Sequence, residues 1–190
     1  MPLSKAHKAE TRARIVAEAG KLFRRRGFDG VGIDAIMAEA GLTHGGFYAH
    51  FKSKADLLAA VMTDQVEIVA RLQSRKGETK AELNAKLASF LDYYLDPNNL
   101  ADIGGRCFLA SLSNDAARGP RAVKAQYAAT IADSLHEFQR GLEGDDRADD
   151  AVEALTLAIG AVTVARAVDD PKLAAKVLIT CRKAIAKRLG

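Results

Sequence analysis

Cysteine and proline are scarce in this 190-residue chain, which has two cysteines and four prolines. Cys107 and Cys181 match neither a metal-binding nor a disulfide motif, so we expect a reduced, cytoplasmic protein without a metal site. The few prolines, the many alanines and leucines and the weak alternation of β-branched residues favour an all-helical fold. Because 48% of the residues are apolar and 27% are charged, the composition is that of a folded globular protein.

Motifs typical of enzymes and membrane proteins are missing as well. The sequence contains no G-x-S-x-G, H-E-x-x-H or G-x-x-x-x-G-K-S/T pattern, and its four histidines are scattered. We therefore predict no catalytic residue and no cofactor. The basic N-terminus lacks the apolar core of a signal peptide, and the longest uncharged run, residues 154–165, is too short to span a bilayer. No contact with a membrane is expected.

Positive charge is concentrated in the first third of the chain. Residues 1–54 hold 10 of the 28 basic and 5 of the 24 acidic side chains, a net charge of +5, whereas residues 55–190 have a net charge of −1. Such asymmetry favours a polyanion-binding domain on a nearly neutral body. We accordingly predict two domains, residues 1–54 and residues 55–190.

The pattern from Ile33 to Phe51 is typical of a helix-turn-helix. Residues 33–40 form a short amphipathic pattern, and Gly41 follows at the C′ position, where positive φ is common. After the turn, Thr43 is the expected N-cap of a short exposed helix. Spacings of five and four residues point Leu42, Phe47 and Phe51 inward together. Two short helices joined by a glycine-containing turn suit a DNA major groove.

A second cap follows this motif. Ser53 is a helix N-cap with Asp56 in the capping-box position, and Lys52 and Lys54 add positive charge beside it. An ordinary surface helix with solvated lysines is the alternative interpretation. Residues 1–10 are expected to form a flexible arm that reaches DNA or is simply frayed. The predicted DNA-binding residues are Thr43, His44, Gly45, Gly46, Tyr48, His50, Lys52, Lys54, Lys8 and Asp34.

Residues 11–58, about a quarter of the chain, resemble the DNA-binding domain of the TetR family of bacterial repressors. The matching residues are Ile15, Ala19, Phe23, Gly27, Phe28, Ile33, Ile36, Ala38, Ala40, Gly41, Leu42, Gly46, Phe47, Tyr48, His50, Phe51, Lys54, Leu57 and Leu58. The resemblance implies an all-α fold of about nine helices, with an N-terminal three-helix head that contains the helix-turn-helix and a C-terminal bundle that binds ligand and dimerises. It also implies a homodimer that binds palindromic double-stranded operator DNA and responds to a small-molecule inducer.

Two positions depart from the family pattern. Val31 and Gly32 stand where the family often has Thr or Ser, so a hydroxyl that usually caps the second helix and touches a phosphate is missing. Gly45 and Gly46 leave the exposed helix with few side chains to read bases, and each glycine costs a helix about 1 kcal/mol relative to alanine.

Helical periodicity and breaking residues predict the remaining helices. The expected ranges are residues 11–26, 33–40, the exposed helix before 51, 53–76, 78–95, 104 to about 115–119, 120–142, 149–167 and 172–189. Pro120 is expected at the first helical position.

The pattern in residues 149–167 is apolar nearly all round, which indicates burial on more than one side. We predict a dimer interface built from this helix and from the helix over residues 172–189. A buried hairpin in a monomeric core is the alternative. The predicted interface residues are Val152, Leu155, Ile159, Val162, Val177, Cys181 and Ile185.

Polar and aromatic residues within the apolar middle helices predict a ligand cavity. The predicted lining is Tyr94, Cys107, Phe108, Ser111, Tyr127, Phe138 and Arg166. The segment 105–109 resembles a stretch of some family branches in which a cysteine senses oxidants or electrophiles. Arg106 and a helix N-terminus would both lower the pKa of the Cys107 thiol, but an inert buried cysteine is the favoured interpretation.

The predicted function is thus a homodimeric transcriptional regulator, a repressor released from its operator by a small apolar or electrophilic inducer. A non-specific DNA-architectural protein is the main alternative, and a helical enzyme is a second. The near-neutral body weighs against the architectural protein, and the missing catalytic motifs weigh against the enzyme.

Overall fold

The computed structural model of the protein describes residues 5–64, 74, 79–101, 107–142, 144 and 146–189. Within those ranges every regular element is helical. The nine α-helices are α1 (Lys5–Arg26), α2 (Ile33–Glu39), α3 (Lys54–Asp64), α4 (Lys80–Tyr94), α5 (Phe108–Ser111), α6 (Ser113–Arg118), α7 (Arg121–Gln139), α8 (Arg147–Ala167) and α9 (Pro171–Leu189). Two 3₁₀ helices, His44–Ala49 and Pro97–Asn99, complete the regular structure of the described residues. The prediction of an all-α chain is confirmed.

Contacts divide the chain into two units. The first unit comprises residues 1–66 and 111–128, and the second comprises residues 67–110 and 129–190. The helix-turn-helix lies in the first unit, and helices α4, α8 and α9 lie in the second. The predicted domain boundary after residue 54 stays a prediction.

Helix α1 builds the core of the first unit. Its inward face contains Ile15, Ala19, Leu22 and Phe23, all buried as their helical spacing predicts. Gly27 ends the helix with φ of +72°. The start of α1 differs from the prediction, because residues 5–10 are helical and the flexible arm expected over residues 1–10 is wrong for that stretch. The alanine, lysine and glutamate residues there are strong helix formers that lengthen α1 without adding an apolar face. Residues 1–4 lie outside the described residues.

Helix α2 ends in a Schellman motif at the predicted glycine. Gly41 has φ of +66°. The Gly41 amide donates to the Ala38 carbonyl at 2.9 Å, and the Leu42 amide donates to the Met37 carbonyl at 2.8 Å. These two bonds satisfy carbonyl groups that the end of the helix leaves open, so the chain turns sharply toward the 3₁₀ helix His44–Ala49.

Helices α4, α8 and α9 form the body of the second unit. Helix α4 opens with a capping box in which Thr79 and Glu82 bond each other's backbone amides. Helix α9 packs against both α8 and α4. The Asn84 side chain of α4 donates to the Leu189 carbonyl of α9 at 2.5 Å, which ties the end of α9 to this bundle.

Two predicted helices have different bounds in the structure. The helix predicted over residues 104 to about 119 is split into α5 and α6 at Leu112, whose φ of −115° and ψ of 14° are not helical. The Leu112 side chain is fully buried, and the flanking serines are weak helix formers. Helix α7 begins one residue after Pro120 and ends three residues before the predicted residue 142. The predicted continuation of α3 to residue 76 lies outside the described residues, apart from Ser74.

Candidate nucleic-acid interface and ligand cavity

The exposed element of the helix-turn-helix is a 3₁₀ helix rather than an α-helix. The Gly46 amide donates to the Thr43 carbonyl at 3.0 Å, and the His50 amide donates to the Phe47 carbonyl at 2.9 Å. Paired glycines at 45 and 46 weaken the α-helical alternative, which favours the tighter turn. Thr43 occupies the predicted N-cap position, but its side chain makes no capping hydrogen bond.

Buried aromatic rings anchor this 3₁₀ helix to the first unit. Phe47 and Phe51 are buried, with ring centroids 5.7 Å apart, and Leu42 is half-buried. The inward direction predicted for the two phenylalanines is therefore confirmed. On the other side Thr43, His44, Gly45 and Tyr48 are exposed, and 62% of the Tyr48 surface remains accessible. The arrangement presents a short polar surface on a rigid apolar base.

His44 and Asp34 form a pair on the exposed surface. The Nδ1 atom of His44 lies 2.5 Å from Oδ1 of Asp34 on helix α2. The ring of Tyr48 packs at a tilt beside the His44 ring, with ring centroids 6.0 Å apart. The structure thus brings three of the predicted DNA-binding residues together.

His50 is half-buried beside two cations of helix α1. Burial, followed by the charges of Lys8 and Arg12, lowers the pKa of His50 from its ordinary value of 6.5. Its Nδ1 atom is buried and has no hydrogen-bond partner among the described residues. The neutral form of the imidazole is therefore favoured in the folded chain.

The start of α3 is capped as predicted. The Asp56 amide donates to the Ser53 hydroxyl at 3.0 Å, and the Lys52 amide donates to the Asp56 carboxylate at 3.0 Å. The carboxylate therefore bonds the residue before the N-cap rather than the N-cap itself. Lys52 is exposed at this positively polarised helix end, where an anion is favoured.

Two cations of the first unit rest on aromatic rings. The Lys54 amino group lies 4.2 Å from the centre of the Phe28 ring, and the Arg12 guanidinium lies 4.7 Å from the centre of the Phe51 ring. Sequence reasoning placed Lys54 in the DNA interface but missed Arg12. The spacing of Lys8 and Arg12, four residues apart on the exposed face of a helix, is the signal that would have found it.

Helix α2 lacks a side-chain cap, as the departure at Gly32 predicts. Gly32 is the N-cap residue, with φ of −84° and ψ of 159°, and no side chain bonds the free amides of the first turn. A Cβ atom added at Gly32 would meet nothing within 4 Å. Position 32 therefore has room for a serine or threonine side chain, and the capping hydroxyl is missing only because the residue is glycine.

Comparison with known proteins indicates the family that the helix-turn-helix region resembles. The family model for bacterial regulatory proteins of the tetR family matches residues 15–61. This part of the chain is a TetR-family domain. The transposon Tn10 TetC protein of Escherichia coli is 33% identical over 87 residues, which cover 44% of each chain. The HTH-type transcriptional regulator AcrR of Shigella flexneri is 35% identical over 83 residues, which cover 44% of this chain and 35% of the relative. The present chain thus matches less than half the length of these curated relatives.

Solved structures extend the likeness in fold to nearly the whole chain. The reduced form of NemR from E. coli has a TM-score of 0.77 at 18% identity, covering 94% of this chain and 96% of that one. The SmeT–triclosan complex has a TM-score of 0.66 at 21% identity, covering 95% and 90%. At this identity the likeness establishes the fold alone. None of the helices in the described part of the chain combines the length and apolar character needed to span a bilayer.

The second unit contains a small apolar cavity. Its lining is Phe90, Leu91, Tyr94, Leu109, Phe138, Leu155, Ala158 and Ile159. The free space is about 10 Å³, room for about one water molecule. A drug-sized ligand needs several hundred Å³, so the cavity is closed in this conformation.

Two of the seven predicted ligand-binding residues, Tyr94 and Phe138, line this cavity. Cys107 and Phe108 are buried outside its lining, and Arg166 is exposed. Ser111 and Tyr127 are half-buried in the first unit. The ligand-binding role of these seven residues stays a prediction.

Burial favours the inert interpretation of Cys107 over the sensor interpretation. Burial raises the pKa of this thiol, which is 1% exposed. A hydrogen bond from the Tyr94 hydroxyl at 2.8 Å, two backbone hydrogen bonds and the charge of Arg166 oppose the rise without overcoming it. Desolvation outweighs the expected cationic help, and Arg106 lies outside the described residues.

The predicted dimer interface divides by burial. Leu155, Val162 and Ile185 are buried within their own chain, so they serve its core. Ile159, Val177 and Cys181 are half-buried, and Val152 is 46% exposed. A partner chain would therefore meet the second group.

Proposed function

We propose that this chain is a homodimeric, ligand-responsive transcriptional regulator that represses by binding a palindromic operator. The observation that carries the proposal is the helix-turn-helix over residues 33–49, in which buried phenylalanines support the exposed His44 and Tyr48. Matching relatives such as AcrR are named as HTH-type regulators, which supports the same function here. As a regulator of this kind the protein acts in the cytoplasm.

DNA contacts in this proposal fall into two groups. Thr43 and His44 face base edges from the 3₁₀ helix. Tyr48, Lys52 and Lys54 meet phosphates, with Lys8 and Arg12 extending the positive surface along α1. Phosphate contacts set affinity and register, whereas base contacts set sequence preference.

Selection from a randomised duplex library tests this assignment. Wild-type protein is expected to enrich a palindromic sequence and to bind it well above a scrambled duplex. Lys52→Ala is expected to weaken binding to both duplexes and to reduce the salt slope by about 1. Lys80→Ala, which removes an exposed lysine of α4, is the matched control and is expected to bind like wild type. Equal affinity of wild type for selected and scrambled duplexes would favour a non-specific architectural protein instead.

A dimer follows from the size of the helix-turn-helix. One such element reads one half-site, so two heads are needed for a palindrome. Val152, Val164, Leu173 and Ile179 on α8 and α9 are between 36% and 49% exposed, which supports a second copy covering this apolar surface. Sedimentation at micromolar concentration is expected to give a dimer, and Val152→Glu is expected to shift it toward monomer. A monomeric wild type would contradict the proposal.

Control by an apolar inducer is the remaining part of the proposal. The cavity beside Tyr94 and Phe138 is closed, so a ligand must open it and thereby favour a different conformation. A coupling of about 1–3 kcal/mol would weaken operator binding roughly 5- to 150-fold. The structural neighbour SmeT was solved as a complex with triclosan, which makes triclosan a reasonable first probe.

Reversible and covalent inducers are separated by one variant. The operator complex is challenged with a panel of apolar ligands and with thiol oxidants, using wild type, Cys107→Ser and the control Cys181→Ser. Release by a ligand is expected in all three proteins. Release by an oxidant that disappears only in Cys107→Ser would assign a sensor role to that buried thiol, and an operator complex unaffected by every compound would end the inducer proposal.

A further inference from the structure

The carboxylate of Asp34 is an unusual group to find on a surface that faces DNA. Its side chain is 84% exposed, and it lies in the first turn of α2. An isolated negative charge there would repel the phosphates of a bound duplex. Its contact with His44 on the next element gives the charge a specific partner.

The geometry of that contact determines which nitrogen of His44 carries hydrogen. An ionised carboxylate is an acceptor only, so the ring atom 2.5 Å from it, Nδ1, must be the donor. Nε2 is then the nitrogen left for another partner. Because the His44 side chain is 49% exposed, Nε2 is accessible to such a partner.

The neighbouring ring limits the orientation of the imidazole. Tyr48 lies 6.0 Å from His44 between ring centroids and packs edge-on against the buried Phe47 at 5.2 Å. His44 is therefore held by Asp34 through a hydrogen bond and by Tyr48 through ring contact. A side chain restrained on two sides loses less rotamer freedom when it binds a base.

We propose that Asp34 is a positioning residue for sequence reading, which orients His44 and holds its proton on Nδ1. In the neutral ring Nε2 is then an acceptor, and the major-groove groups that donate to an acceptor are the amino groups of adenine and cytosine. The dyad is thereby suited to one adenine or cytosine in each half-site. This inference rests on the proposed DNA-binding function.

Three substitutions separate the role of the hydrogen bond from that of the charge. Asp34→Ala removes both the acceptor and the charge, whereas Asp34→Asn keeps an acceptor oxygen and removes only the charge. Glu39→Gln removes an exposed negative charge from the same helix without touching His44. Each protein is used for selection from a randomised duplex library, and its affinities for the wild-type consensus and for a scrambled duplex are then measured.

Asp34→Ala is expected to bind the scrambled duplex more tightly and to lose roughly fivefold discrimination at one base position of each half-site. His44→Ala is expected to lose discrimination at the same position. Asp34→Asn is expected to gain affinity and to retain the preference, as is Glu39→Gln. Wild-type preference for adenine or cytosine at that position supports the acceptor assignment.

Several results overturn the inference. An unchanged consensus in Asp34→Ala would show that the carboxylate does not position His44. Loss of preference in Glu39→Gln would attribute the effect to charge alone, and a His44-dependent preference for guanine would contradict an acceptor Nε2. If wild type itself enriches no sequence, the proposed function fails together with the inference, which distinguishes that failure from the others.

Discussion

Gly141 is a position at which the fold leaves no room for a side chain. It follows α7 and is buried against α4. A Cβ atom at this position would lie 2.6 Å from the Asn84 backbone nitrogen, 2.8 Å from the Asn84 Cα and 2.9 Å from the Leu83 carbonyl carbon. All three are backbone atoms inside a helix, so no side-chain rotation relieves the clash. Gly141→Ala must therefore displace α4 or the turn itself.

The loss of stability expected for Gly141→Ala depends on which atoms have to move. Overpacking a well-packed site costs about 1–3 kcal/mol, and a clash with helix backbone belongs at the upper end. Asn84 also holds the end of α9 through the Leu189 carbonyl, so a shift of α4 strains a second contact. For a chain of this length, about 3 kcal/mol corresponds to a fall of roughly 6–12 °C in Tm.

Thermal unfolding followed by circular dichroism measures this effect at one fixed protein concentration. Gly160→Ala in α8 is the matched control, because a Cβ atom there meets nothing within 4 Å of the same chain. Alanine in a helix interior is favoured over glycine by about 1 kcal/mol, so this variant is expected to unfold a few degrees higher. A Gly141→Ala protein that unfolds at the wild-type temperature would refute the packing described for this turn. A less stable Gly160→Ala protein would instead indicate that a partner chain packs against that glycine.

Three further perturbations test the cap of α2, the burial of His50 and the burial of Cys107. Gly32→Ser adds a cap to α2 and is expected to raise the unfolding free energy by a few tenths of a kcal/mol, which chemical denaturation checks. His50 has a lowered pKa in the folded chain, so below the ordinary value of 6.5 the unfolded chain binds more protons than the folded chain. The folded chain therefore loses stability as the pH falls. Denaturation curves at pH 7 and pH 5 are expected to show a smaller loss of stability for His50→Gln than for wild type. Burial raises the pKa of Cys107, so mass spectrometry is expected to show slower alkylation by iodoacetamide at pH 7 than at the half-buried Cys181. Equal rates for the two thiols would mean that the segment around Cys107 opens readily.

Local signals in the sequence were sufficient for the helix-turn-helix. Gly41 at C′, Ser53 as N-cap and the spacing of Phe47 and Phe51 each depend on contacts within a few residues of the chain. Such contacts follow from backbone chemistry and periodicity alone. The missing cap at Gly32 was equally predictable, because it depends only on the absence of a hydroxyl.

Tertiary surroundings determined what sequence reasoning missed. Arg106 and a helix N-terminus next to Cys107 in the sequence favour a lowered thiol pKa, but the burial that raises this pKa cannot be read from the neighbouring residues alone. The break at Leu112 likewise coincides with a fully buried side chain, which helical periodicity alone did not single out. A helical pattern identifies an inward face without identifying what that face packs against.

Basic side chains have different kinds of partner at two places in the chain. In the second unit, Arg188 of α9 forms ion pairs with Asp150 and Glu153 of α8 at 3.4 Å and 2.6 Å, so its charge is largely compensated. In the first unit, Arg12 and Lys54 rest on aromatic rings. A ring attracts a cation without cancelling its charge, so these side chains are ordered and still positive. Two of the ten basic side chains in residues 1–54 are thus held on aromatic rings, and one of those rings, Phe51, also supports the 3₁₀ helix. In the proposed DNA complex, a phosphate that replaces a ring contact meets a cation whose position is already restricted.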